Sequence, residues 1–125
     1  MAAFSSFAGQ RYLNLESLRK NGAAVQTPVW FAQDGATIFV YTTADSGKAR
    51  RIRRDVAVRI APCDIRGKLN GEWLDARAAP VAGAEFERGM MLLDRKYFPM
   101  KQMLGLMAWF SPRRRVVIAI RAAAE

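Results

Sequence analysis

The sequence contains no histidine, a single cysteine, and only 11 acidic residues against 20 Lys and Arg. Without histidine there is no Ser-His or Cys-His nucleophilic pair, no ordinary side chain that titrates near neutrality, and none of the commonest metal ligand. If the protein is an enzyme, a cofactor is expected to do the chemistry. The lone Cys63 cannot form an intramolecular disulfide or a zinc knuckle, which suits a reducing compartment and excludes zinc. No apolar run approaches the ~18 residues of a membrane span, and Met1 to Gln10 has neither the basic start nor the long apolar centre of a secretory leader. The expectation is a cytoplasmic protein with no metal and no membrane association. Repeats and low-complexity tracts are also missing, so a single domain over 1–125 is expected.

What is present favours a packed core. The chain is 51% hydrophobic, with six Met, three Trp, seven Phe and three Tyr, too many apolar groups for a disordered chain. The formal charge of +9 predicts attraction to anions, whether nucleic acid, a membrane surface or a phosphorylated small molecule. Charge alone does not choose among them.

Periodicity and turn residues predict the elements. Arg11 to Lys20 places Tyr12, Leu15 and Leu18 or Arg19 at helical spacing, with Asn21-Gly22 as a stop. Ala24 to Ala32 and Thr37 to Thr43 read as a β-hairpin around Gln33-Asp34-Gly35. Lys48 to Arg54 reads as a helix capped by Asp45 or Ser46. Val56 to Ala61 alternates like a half-buried strand, and Glu72 to Val81 returns as its partner after Asn70-Gly71. Phe86, Met90, Leu93 and Tyr97 recur every three or four residues, predicting a helix over Ala84 to Tyr97, with a second over Met100 to Phe110 before Ser111-Pro112. Met and Leu of Met100 to Met107 are expected to fill a core or a subunit interface. Val116 to Ile120 is β-prone. The order αββαββααβ lacks βαβ crossovers, so the fold class expected is α+β or mainly β, an antiparallel barrel with short flanking helices.

The most informative stretch is Tyr41-Thr42-Thr43-Ala44-Asp45-Ser46-Gly47-Lys48-Ala49-Arg50-Arg51, where a strand runs through small polar residues into a helix opened by glycine and lysine. Such a junction exposes backbone N–H groups at the positive end of the helix, and Thr42, Ser46 and Lys48 add donors suited to phosphate. Ser-Gly-Lys lacks the spaced glycines of a Walker loop, so a solvated helix cap with a surface lysine is the other reading. The basic cluster Arg50, Arg51, Arg53, Arg54 has three readings: a solvated face, a nucleic-acid contact, or a holder for a cofactor's anionic tail.

The chain resembles the pyridoxamine-phosphate-oxidase-like superfamily of flavin and deazaflavin oxidoreductases, and within it the branch labelled as deazaflavin-dependent. The resemblance rests on Tyr12-Leu13-Asn14-Leu15, Thr27-Pro28-Val29-Trp30-Phe31, Tyr41 to Lys48, Arg51-Ile52-Arg53-Arg54, and Val58 to Asp64, in order along residues 12 to 82. It implies a split β-barrel that dimerises, with two cofactor sites at the interface. It also implies an oxidoreductase whose cofactor, FMN or coenzyme F-420 (8-hydroxy-5-deazaflavin), carries the chemistry on a small-molecule substrate, with no catalytic side chain to name. A non-catalytic flavin carrier and a basic nucleic-acid module are the alternatives. Carried over position by position, Tyr41 and Thr42 match the strand end beside the cofactor phosphate, with Ser46, Gly47 and Lys48 next to it. Thr27, Pro28, Val29 and Trp30 match the strand whose backbone lies along the isoalloxazine-like ring. Arg51 and Arg54 match partners of the phosphate or of an acidic tail; the polyanionic oligoglutamate tail of F-420 would suit them.

Two departures matter. The chain ends at Arg121-Ala-Ala-Ala-Glu125, without the tryptophan- and arginine-bearing segment of the true pyridoxamine-phosphate oxidases, and Gly47 stands where those enzymes commonly carry an arginine beside the lysine. Pyridoxamine phosphate is therefore not the expected substrate. Arg113 to Arg115 reads as a charged turn and Cys63 as a buried strand-end residue without redox use. Trp30 or Trp73 is expected near the dimer seam.

Overall fold

The computed structural model describes residues 4–43, 47–54, 56–97 and 115–123. Six strands, β1 (Tyr12–Leu18), β2 (Ala24–Asp34), β3 (Thr37–Thr43), β4 (Ala57–Cys63), β5 (Leu74–Val81) and β6 (Arg115–Ala122), close into an antiparallel barrel in the order β1-β2-β3-β6-β5-β4. Helix α1 (Gly47–Arg54) follows β3, α2 (Ala84–Tyr97) follows β5, and a 3-10 turn at Ser5–Phe7 precedes β1. The expected barrel class is the observed one. No helix among the described residues is long and apolar enough to cross a membrane.

The first expected helix is instead β1. Paired with β2 on one edge and β4 on the other, it is buried at Leu13 through Ser17 on both faces. A strand covered on both sides has no reason to alternate polar with apolar, so its spacing imitates a helix. The hairpin, α1, β4, β5, α2 and β6 fall within a few residues of their expected places. Gly35, at φ +59°, opens the short connection between the paired Asp34 and Thr37. The helix expected over Met100 to Phe110 and the first two residues of the turn expected at Arg113 to Arg115 lie outside the described residues, whereas Arg115 is not a turn residue but opens β6, where it pairs with Thr43.

Alternation turns Leu13, Leu15, Phe31, Ile38, Val40, Val58, Ile60, Ala76, Ala78, Ile118 and Ile120 into the barrel as one core. Both mouths are stoppered. Phe4 and Phe7 of the N-terminal turn join that core beside Phe31, with rings edge-on at 5.9 and 5.8 Å. At the opposite mouth α1 packs against β1, β3 and β5 and inserts Ile52, which has no exposed surface. Complete burial of an isoleucine side chain contributes about 1.5–3 kcal/mol, which outweighs the weak propensity of an eight-residue helix.

Helix α2 lies on the outside of β2, β3 and β6. Leu93 and Tyr97 cover Ala32 and Trp30, while Phe86 and Met90 cover Phe39, Val117 and Ala119. Tyr97 also repairs the barrel seam. Its hydroxyl accepts from the Phe31 N–H at 3.0 Å and lies 2.6 Å from the Arg11 carbonyl and 2.8 Å from that of Phe31. Arg11 and Phe31 stand one step past the Tyr12–Trp30 end of the β1–β2 ladder, and the buried main-chain groups of Phe31 would otherwise go unpaired there.

Candidate functional site

The residues singled out in the sequence on β2 and β3 lie beside a gap in the β2–β3 ladder. The β2–β3 ladder pairs only Phe31–Asp34 with Thr37–Val40, although β3 stays paired with β6 as far as Thr43. Thr27, Pro28, Val29 and Trp30 therefore hold β1 on one edge and have no ladder partner on the other. Because Phe31 turns its main-chain groups to Tyr97 on the β1 side, alternation turns the carbonyls of Pro28 and Trp30 and the Trp30 N–H toward β3. The result is a polar backbone edge on β2, facing the β2–β3 gap and unpaired among the described residues.

Side chains divide between the two sides of that wall. Thr27 and Val29 share the parity of Phe31 and face inward, whereas Pro28 and Trp30 face outward. On β3, Thr42 follows Ile38 and Val40 inward and is 7% exposed, while half-buried Tyr41 turns outward into the cluster of Trp30 and Tyr97. The structure thus brings Tyr41 and Trp30 together on the outside and places Thr27 and Thr42 on the inside. The Thr27 hydroxyl is buried without a hydrogen-bond partner among the described residues, which would suit a bound molecule or water. Trp30 and Tyr97 stack at 4.7 Å with planes 12° apart, an aromatic floor at one end of the cleft.

Positive charge gathers at the other end. Gly47 and Lys48 open α1, whose first turn carries no acid. Arg51, one turn on, folds back over the opening: its Nε donates to the Ser17 hydroxyl at 2.7 Å, and a β-carbon placed on Gly47 would lie 2.7 Å from its Nη1. Glycine at 47 thus makes room for the guanidinium of Arg51. Lys48 is half-buried, and this burial, followed by the neighbouring Arg51 charge, lowers its pKa. Two cations and a helix N-terminus converge here without a carboxylate in the turn, an arrangement that a phosphate would neutralise. Ser46 lies outside the described residues, as does the side chain of Arg54 at the far end of α1.

Sequence reasoning missed Ser17 and Tyr97. Nothing near Ser17 in sequence announces a link to Arg51, 34 residues away. Tyr97 was legible only as the last apolar position of a helix.

Cys63 ends β4 and is 2% exposed; burial, then the Asp64 charge, pushes its thiol up to about 11. Native protein at pH 8 is expected to resist iodoacetamide, and urea-unfolded protein to react at the ordinary thiol rate. Rapid labelling of the folded state would refute the inert assignment.

The comparisons agree with this fold. A search of the curated proteins finds no match. Among solved structures, the chain is similar to an F420 reductase, at 22% identity over 97% of this chain and 94% of that one, with a TM-score of 0.61. It is similar to HutZ, the heme storage protein of Vibrio cholerae, at 12% identity over 100% and 93%, TM-score 0.68. An FAD-binding protein of Mesorhizobium loti matches at 15% identity over 94% and 85%, TM-score 0.60. At such identities the likeness concerns the fold. The family model of pyridoxamine 5'-phosphate oxidase, however, matches residues 2–124, nearly the whole sequence. That match, over a six-stranded antiparallel barrel, establishes that the chain belongs to the pyridoxamine 5'-phosphate oxidase family.

Proposed function

We propose that the chain binds a flavin-type cofactor, FMN or coenzyme F-420, in the β2–β3 cleft of a homodimer, and serves as an oxidoreductase on a small molecule. The observation that carries this reading is the convergence of Lys48, Arg51 and the α1 N-terminus on one turn without an acid. The bound cofactor would supply the transfer of a hydride or of electrons. The chain's own residues bind and orient it. Lys48 and Arg51 hold the phosphate, with Thr42 and Ser46 beside it, and the open backbone edge of Thr27 to Trp30 meets the hydrogen-bonding edge of the ring. Trp30, stacked on Tyr97, keeps water from that end of the cleft. Arg54, at the end of α1, suits the tail of F-420.

The orphaned Thr27 hydroxyl also supports a polar ligand in this cleft. Side-by-side titration of the purified protein with FMN and with F-420, read by fluorescence quenching, tests the reading. Saturable uptake of one of them, surviving moderate salt, is expected. Turnover with an oxidisable reductant then separates enzyme from carrier. Steeply salt-dependent DNA binding with no flavin uptake would sink the proposal in favour of a nucleic-acid module.

A further inference from the structure

Lys96, in the last turn of α2, carries its amine onto the face of a core ring rather than out to solvent. Its Nζ lies 3.5 Å from the centre of the Phe31 ring and 5.3 Å from that of Tyr97. Phe31 is fully buried and meets the Phe7 ring edge-on at 5.8 Å, so an amine on its face is cut off from much of the water that surrounds a surface lysine. Lys96 as a whole is half-buried, which leaves an approach for a small molecule.

No acid balances this amine. Lys96 has no ion-pair partner among the described residues. The sole acid of β2, Asp34, is bound to Arg88 at 2.9 Å, that of β1, Glu16, is bound to Arg59, and neither β3 nor β6 carries one. On α2 itself Asp94 stands two positions back, where side chains do not face each other, and Glu85 and Glu87 belong to the first turn. The segment that follows, residues 98–114, contains no Asp or Glu.

Beside the amine stands Arg11 instead, exposed and also without an ion-pair partner among the described residues. Tyr97 ties the two together, since its hydroxyl lies 2.6 Å from the Arg11 carbonyl. A ring face attracts an ammonium but offers no hydrogen bond in place of lost water, so burial first and the Arg11 charge second push the Lys96 pKa down to about 8. At pH 7.5 about one amine in four is then neutral and nucleophilic, against about one in a thousand for an ordinary lysine.

We propose that Lys96 is an acylation site for small acyl phosphates, with Arg11 holding the phosphate while the amine attacks. The neutral Nζ adds to the acyl carbon and forms an amide bond; the carbon–oxygen bond to the phosphate breaks, its electron pair leaves with the phosphate, and the surplus amine proton passes to phosphate or water. Nothing is oxidised or reduced. Such a donor is anionic where two cations meet and apolar at the acyl end, where Phe31 and Tyr97 lie. The product also suits the place, because a neutral amide on the ring face leaves no uncompensated charge there. Arg11 and Phe31 lie at the barrel mouth opposite α1, so the site is separate from Lys48 and Arg51.

The test is incubation of the folded full chain with acetyl phosphate at pH 7.5, with acetylation of each lysine read by mass spectrometry and folding confirmed by circular dichroism. Lys96 is expected to react about tenfold faster than exposed Lys20 and Lys68, its lower basicity having taken back part of its ionisation advantage. In urea the three should react alike. Arg11→Ala should slow acetylation of Lys96 by acetyl phosphate at least about fivefold, yet by acetic anhydride, which carries no phosphate, no more than about twofold. Lys96 reacting no faster than Lys20 and Lys68 in the folded chain overturns the site. Equal slowing of both reagents by Arg11→Ala overturns the acyl phosphate as its donor.

Discussion

Lys48→Ala is expected to raise the dissociation constant of the flavin cofactor by about ten- to a hundredfold, the result of losing a charge-assisted contact worth about 1.5–3 kcal/mol. The lysine is half-buried at the opening of α1, and its pKa is already lowered by burial and by Arg51. A cation so placed lacks full solvation and gains more from an anion than a surface lysine would. Equilibrium titration followed by fluorescence measures the shift. Thr42→Ala should cost less, about 1 kcal/mol, because a hydroxyl contact is neutral. Lys68→Ala removes the same charge from the exposed β4–β5 connection, at the mouth away from α1, and should change little. Equal losses for Lys48→Ala and Lys68→Ala, both abolished by salt, would reduce the cradle to diffuse electrostatics.

Arg51 sharpens this experiment. Its guanidinium lies over Gly47, in the space that a side chain at 47 would take. Related enzymes commonly carry an arginine at that place, so Arg51 supplies the same group from one turn further along the helix. Arg51→Ala should weaken cofactor binding about as much as Lys48→Ala does. Adding Gly47→Arg to Arg51→Ala should recover most of the loss, while Gly47→Arg alone brings two guanidinium groups into conflict. Failure of that rescue would show that Arg51 acts through its Ser17 hydrogen bond rather than on the anion.

Gly89→Val is expected to destabilise the fold by about 3 kcal/mol, and Gly89→Ala by about 1 kcal/mol or less. Gly89 is buried in the middle of α2, where glycine ordinarily costs about 1 kcal/mol relative to alanine. Packing is the reason it is there. A β-carbon at 89 would meet Val117 Cγ1 at 2.8 Å and Phe39 Cδ1 at 2.9 Å. Both neighbours are core side chains, 0% and 3% exposed, so neither can swing aside. Alanine recovers helix propensity while creating a clash, and the two effects partly cancel; valine adds two more carbons to the clash and loses propensity to its branching. Urea unfolding measures the two differences. A Gly89→Val variant as stable as the unchanged protein would mean that α2 does not lie as close to β3 and β6 as described.

Because Trp30 packs on Tyr97 of the same helix, loosening α2 should also reach the cleft. Gly89→Val is therefore expected to weaken cofactor binding secondarily, whereas Lys48→Ala leaves stability nearly unchanged. The two variants separate support of the cleft from direct contact with its ligand.

The sequence by itself determined both described helices, β4 and β5 through one buried and one more open face, while the hairpin and β6, covered by α2 on their outer side, were read from the Gln33-Asp34-Gly35 turn and from β-prone residues. That asymmetry writes a period into the chain: alternation in β4, and the three-and-four spacing of Phe86, Met90, Leu93 and Tyr97 in α2. The exclusions drawn from absent histidine needed no coordinates either. β1 escaped because it is covered on both faces, and burial on both faces erases the period that sequence reading depends on. The cleft was legible in its parts, as Tyr41 to Lys48 and Thr27 to Trp30, but not in its assembly. Only the tertiary structure decided that Ser17 anchors Arg51, that Arg51 fills the space over Gly47, and that Tyr97 closes the seam at Phe31. The first and last of those contacts join residues 34 and 66 positions apart through a closed barrel, and a contact made by barrel closure leaves no local signature in the chain.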